Sequence, residues 1–357
     1  MWQSCACQDR HVPEIKADNM KNGPNLGRMK RRWLIFGSIW GLVFLSSATE
    51  IWRLGLTKYH VFLFTNEPGI VLLIGTNDVA LYNLKEAGIL QSFSPPRGWE
   101  WFLGAAVNPD VTTIAAVVSD GAVILWNVRT AEEIVRWKIP SFCGLQPAFL
   151  PDGNLLLGGS YLCKQTMVFN PVSGEIVKIF PDAVAPIAIS PSGQRLAAVK
   201  AYEENKVLLW NVATGEIENI LHFPAKITFM AFDPSESVLF LGARDGQIYV
   251  WDLAESRLAE IYAQNSPIRS LVVSPEGHML AASSYDDRIV FWNVTERKTV
   301  VQIDVREELL KRGWLLDSTV TLCVDVVSWS PDGKMISFSC RTSALGKEVF
   351  ILKVPVL

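Results

Sequence analysis

The chain is poor in histidine, with only His11, His60, His222 and His278 among 357 residues, and none of them falls in a metal-ligand or nucleophile motif. No glycine-rich loop leads from a strand into a helix, so no phosphate cradle is indicated. A basic excess is missing too: net charge is −3 and the pI about 5.9, which speaks against a nucleic-acid partner. The six cysteines do not follow zinc spacing. Carboxylates stand side by side at Glu203-Glu204, Asp286-Asp287 and Glu307-Glu308, but neighbours on a strand point to opposite sides, so these pairs read as solvated turn charges. No catalytic residue, metal site or cofactor follows from any motif. The reading is of a protein that is not an enzyme.

Long hydrophobic runs are lacking as well, with one exception. Residues 1–28 are polar and without apolar period, an extension outside the fold or a stretch upstream of a start at Met29. Lys30, Arg31 and Arg32 then precede an uncharged run that ends before Glu50. Its apolar part, residues 33–45, has the length of a signal-peptide core and is short for a membrane span of roughly 20 residues. Ser46-Ser47-Ala48 supplies the small side chains that a signal peptidase admits. Residues 29–48 are therefore expected to be a signal peptide or an uncleaved signal-anchor. Either one sends residues 49–357 across a membrane, secreted or held at its outer side.

What the chain does have is apolar bulk: hydrophobic residues make up 49%, with 13 Trp and 17 Phe, enough to bury a large core. It also has a repeat. The pattern apolar–aromatic–Asn/Asp–apolar occurs at Leu81-Tyr82-Asn83-Leu84, Leu125-Trp126-Asn127-Val128, Val168-Phe169-Asn170-Pro171, Leu209-Trp210-Asn211-Val212, Val250-Trp251-Asp252-Leu253 and Phe291-Trp292-Asn293-Val294. From Tyr82 to Trp292 the aromatics are spaced 44, 43, 41, 41 and 41 residues apart; a degenerate copy, Val349-Phe350-Ile351-Leu352, follows after 58. Proline turns keep step, at Pro68, Pro109, Pro151, Pro191, Pro234, Pro275 and Pro331. Within one unit, residues 268–274 alternate apolar and polar before the Pro275 turn, and three further short strands follow. Four strands in about 41 residues make one antiparallel blade, and a blade hides its faces only by stacking on others. The fold class is all-β, a seven-bladed propeller.

These residues resemble the WD-repeat family, although only Trp251-Asp252 keeps the literal dipeptide and the Gly-His that often opens such repeats is absent. The resemblance implies a ring closed by a strand from the far end of the chain. Ile51, Trp52 and Leu54 are expected to pair onto the blade that ends near Phe350, which removes the free sheet edges. The aromatics Trp126, Trp210, Trp251 and Trp292 are expected in the core.

The resemblance further implies that the blade-to-blade links and the turns between second and third strands share one face. Its candidate partner-binding residues are Trp99, Trp101, Arg244 and Tyr285, with Arg312 and Trp314 in an insertion whose residues 305–316 suit a short helix. Exposed Trp, Tyr and Arg are frequent interface anchors. Cys143 with Cys163, and Cys323 with Cys340, are candidate cross-strand disulfides, buried thiols being the alternative. The expected function is a monomeric protein-binding scaffold that meets the membrane only through its N-terminal segment. The competing reading is an extracytoplasmic propeller enzyme or sensor, with Asp78, Asp120, Asp245, Asp286, Asp287 and His60 converging at the central channel.

Overall fold

The computed structural model describes residues 50–56, 58–95, 101–139, 146–315, 322–342 and 346–354. They form seven four-stranded antiparallel sheets. Blades 1 to 6 comprise residues 59–93, 102–138, 147–181, 183–222, 227–263 and 268–304, their strands paired in chain order. Blade 7 takes three strands from residues 322–353 and its outer strand from Ile51–Arg53. The targeting segment 29–48 lies outside the described residues. Among the described residues no helix is long and apolar enough to cross a membrane.

Burial follows position in the blade. Second and third strands lie between neighbouring blades on both faces and are buried almost throughout, as in Ile70–Gly75 and Met279–Ser284. Outer strands face solvent, and five of them bury one inward side chain: Phe93, Phe180, Leu221, Tyr262 and Ile303. That side chain meets the third-strand aromatic: Trp126 touches Phe93 with ring centroids 5.8 Å apart, Trp210 touches Phe180 at 5.5 Å and Trp292 stacks on Tyr262 at 5.9 Å. Trp251 is half-buried rather than fully enclosed. Small residues let adjacent sheets approach, with Ala115, Ala116, Ala197, Ala198, Ala281 and Ala282 all fully buried.

The Asn/Asp that follows each aromatic has a local task. In the turn from third to fourth strand, Asn83, Asn127, Asn170 and Asn211 accept hydrogen bonds on their Oδ1 from main-chain N–H groups two or three residues on. Asp252 and Asn293 do the same three residues on. Short polar side chains favour such turns for this reason. The Val349-Phe350-Ile351-Leu352 copy has no Asn, and it has no such turn to close, because its fourth strand comes from elsewhere in the chain.

Ring closure is as expected. Ile51, Trp52 and Arg53 pair with Leu352, Ile351 and Phe350. The Leu54 N–H donates to the Val349 carbonyl at 3.3 Å, and the Lys353 N–H to the Glu50 carbonyl at 3.0 Å. Arg53 also holds the buried Glu348 carboxylate through both Nε, at 2.6 Å, and its terminal nitrogen.

The insertion after blade 6 opens with a helix, Val305–Lys311, capped by Asp304, whose side chain accepts from the Glu307 N–H at 2.9 Å. It stops earlier than expected: Gly313 takes φ +67 and the Trp314 N–H turns back to the Leu309 carbonyl at 2.9 Å, a glycine C-terminal cap.

Candidate partner-binding face

The ring has two unlike faces. One, here the turn face, carries the first-to-second and third-to-fourth strand turns. The other, the link face, carries the second-to-third turns and the blade-to-blade links. Outside the outer strands and among the described residues, five large hydrophobic side chains are exposed. Val172 is on the turn face. Trp101, Leu162, Tyr202 and Tyr285 are on the link face, and they come from blades 2, 3, 4 and 6.

Of the expected anchors, Trp99 lies outside the described residues. Trp101 is 52% exposed, and its carbonyl accepts the Ser119 N–H at 2.9 Å, which fixes the main chain beneath the ring. Tyr285 is 57% exposed, with the Arg269 guanidinium 4.7 Å over its ring. Arg269 in turn grips Asp325 of the next blade at 2.9 and 3.2 Å. Arg244 is exposed on the second-to-third turn of blade 5. Arg312 and Trp314 are placed differently from the expectation. Trp314 is half-buried against Phe350, centroids 5.9 Å apart. Arg312 lies 5.6 Å over that ring and pairs with Glu308 at 3.2 Å. An apolar ring at the end of a short helix gains by covering the edge of blade 7, which leaves the pair half-buried there. Leu162 and Tyr202 are the most exposed large apolar side chains among the described residues of the face, at 76% and 68%. Each sits in a second-to-third turn where a polar residue is the usual choice, and that is the sequence signal that could have marked them.

A carboxylate ties three blades together on this face. Glu204 accepts from Tyr161 of blade 3 at 2.8 Å and from Lys226, at the start of blade 5, at 2.5 Å. Burial alone would raise its pKa, but Lys226 and Tyr161 bring it below the ordinary value. Its neighbour Glu203 faces Lys200 and Lys206, whose hydrogen bonds lower it from 4.5 to about 2. The acidic pair is thus two separate ion-paired groups. Because the folded pKa of Glu203 is depressed, its contribution to stability is present above pH 4.5 and is lost as pH falls toward 2. Carboxyl NMR of the folded chain should place its midpoint below that of a freely solvated glutamate; an ordinary midpoint would refute the clamp. Asp287 behaves oppositely: burial raises it, and Arg306 at 2.6 Å offsets only part of the rise.

The cysteines divide. Cys163 is disulfide-bonded, while Cys143 lies outside the described residues. The candidate Cys323–Cys340 bridge is not formed, and both residues are buried thiols, the alternative reading. Register explains it: Cys340 stands opposite Val324 and Cys323 opposite Arg341, so the two sulfurs leave opposite sides of the sheet.

Among the described residues no three His, Cys, Asp or Glu side chains are grouped to hold a metal. Of the channel candidates, the His60 side chain lies outside what the structure describes. Asp78 accepts from Tyr59 and Lys58, Asp245 from Tyr249, and Asp287 pairs with Arg306. The indole nitrogens of Trp210 and Trp251 are buried and have no hydrogen-bond partner among the described residues, in keeping with the missing Gly-His dipeptide.

The described repeats can be set beside known proteins. Residues 230–317, which span blades 5 and 6, match the model of the anaphase-promoting complex subunit 4 WD40 domain. A second similarity is to the protein ROOT INITIATION DEFECTIVE 3 of Arabidopsis thaliana, 22% identical over 162 residues, covering 40% of this chain and 36% of that protein. The chain therefore matches little more than a third of that relative's length. Seven four-stranded blades make the chain a seven-bladed β-propeller, and its aromatic–Asn/Asp repeats, which close the outer turns of blades 1 to 6, are similar to those of WD40 proteins.

Proposed function

We propose that the protein is an exported, non-enzymatic platform that binds a protein partner on its link face. The observation that carries this reading is the asymmetry of exposed side chains. Trp101, Leu162, Tyr202 and Tyr285 all project from the link face, whereas the turn face exposes Val172 alone of its large apolar residues among those described. Tyr and Trp bury much area for little lost conformational freedom, and an otherwise polar rim excludes water around them. The rest of the ring suits a rigid display: the loops hang on sheets whose inner strands are buried. Export is supported by the basic residues and apolar run of 30–45, and by a disulfide at Cys163, since such bonds persist in oxidising compartments.

The test is capture by the intact chain, followed by substitution. Trp101→Ala and Tyr285→Ala should each weaken a captured partner by about tenfold, while Ile134→Ala on an outer strand leaves it unchanged. A partner insensitive to every link-face substitution would refute the reading. Protease protection of the chain expressed in a secretory host tests export separately, and residues 49–357 left on the cytosolic side of the membrane would refute that part.

A further inference from the structure

Five cations and four carboxylates face each other over blades 3 to 5 of the link face: Lys164, Lys200, Lys206, Lys226 and Arg244 against Asp182, Glu203, Glu204 and Asp245. Three of the acids are already engaged. Glu203 is held by Lys200 and Lys206, Glu204 by Lys226 and Tyr161, and Asp245 by the Tyr249 hydroxyl at 2.7 Å and the Gln247 N–H at 3.0 Å. Asp182 is exposed and acts on both Lys164 and Lys200 only through space. Two cations are left over. Lys164 is exposed, with its ammonium 4.9 Å over the Tyr202 ring. Arg244 is exposed, is sensed electrostatically by Glu204, and forms no ion pair among the described residues.

These cations frame Leu162 and Tyr202, the two most exposed large apolar side chains among the described residues, which stand on adjacent blades. The turn that bears Leu162 and Lys164 is fixed before any partner arrives. The Lys164 N–H donates to the Ser160 carbonyl at 2.8 Å, the Cys163 N–H to the same oxygen at 3.2 Å, and Cys163 is disulfide-bonded. A site already held in shape loses less entropy on binding.

The opposite face has the contrary charge. Its first-to-second strand turns carry Glu67, Asp110, Asp152, Asp233, Glu236, Glu276 and Asp332 against Lys334, and its third-to-fourth turns add six glutamates against Lys85, Arg129 and Arg297. A negative chain is therefore repelled less over blades 3 to 5 of the link face than over the turn face.

We infer that the link face over blades 3 to 5 binds an acidic peptide segment bearing an apolar or aromatic side chain. The apolar group covers Leu162 and the exposed edge of Tyr202; carboxylates reach the Lys164 ammonium and, in a two-pronged contact, the Arg244 guanidinium. This rests on the platform reading and names the chemistry of the partner.

The test uses the full chain and a fluorescein-labelled synthetic peptide in which glutamates flank one leucine and one tyrosine, followed by fluorescence anisotropy. A control peptide has lysine in place of every glutamate. The acidic peptide should bind and the basic one should not. Lys164→Glu combined with Arg244→Glu should weaken binding at least about tenfold, and raising salt from about 0.1 to about 0.5 M should weaken it further. Arg129→Glu on the turn face should change nothing, which separates a local contact from net charge. Equal binding of both peptides, or indifference to the double charge reversal, overturns the inference. The platform reading fails differently: it falls if a captured protein partner ignores Trp101→Ala and Tyr285→Ala, and it survives if that partner needs those residues but not Lys164 and Arg244.

Discussion

Replacing Arg53 by alanine is expected to lower the stability of the ring by about 2–3 kcal/mol, because it strands the buried Glu348 carboxylate, although Arg53 itself is partly in solvent. Glu348 is only 4% exposed, and Arg53 reaches it from a strand of just three residues. Without the guanidinium, the carboxylate stays in the sheet with its main neutralising partner gone. A fall in melting temperature on the order of 10 °C follows. The charge-free pair Arg53→Met with Glu348→Leu should recover most of that loss, because two well-packed apolar side chains carry no desolvation penalty. Thermal melts of the three variants decide the matter. If Arg53→Ala melts with the parent chain, the pair does not hold the ring closed.

A comparable loss, about 3 kcal/mol or more, is expected for Gly159→Ala. A Cβ there would stand 2.0 Å from the Gln165 carbonyl oxygen, 2.5 Å from its carbon and 2.8 Å from the Ala183 oxygen. All three are main-chain atoms, and none can rotate aside. The same residue is a joint between blades 3 and 4. Its N–H donates to the Thr166 hydroxyl at 3.0 Å, that hydroxyl donates to the Ala183 carbonyl at 2.9 Å, and the Ala185 N–H donates to the Gly159 carbonyl at 2.9 Å. Gly153→Ala is the control. At φ +86 with nothing within 4 Å of the added carbon, it costs only the left-handed strain of roughly 1–2 kcal/mol. Urea denaturation that ranked the two substitutions equally would contradict the close approach of the blades.

The architecture was legible because it repeats. The aromatic, the Asn or Asp after it and the proline turn recur in register, so each copy corroborates the others, and even the degenerate copy at Phe350 was informative. It lacks Asn where no turn needs closing, and the strand it awaits is Ile51–Arg53. The candidate face was legible only in outline. Trp101 and Tyr285 project as expected, but Trp314 has the same composition signal and turns inward, because its fate depends on the distance to Phe350, which no local spacing reports. Glu204 meets partners 43 and 22 residues away in the chain. The thiols at 323 and 340 show the finest limit: a shift of one residue in register decides which side of a sheet each faces.

The strand at residues 51–53 also sets a schedule. Its partner Glu348 is made 295 residues after Arg53. At the ordinary pace of synthesis, about 5–20 residues per second, the first segment waits roughly 15–60 s for the last. Throughout that interval the growing array of sheets has two raw margins, each able to zip onto a neighbouring nascent chain. Only the pairing of residues 51–53 with residues 350–352 removes both margins at once.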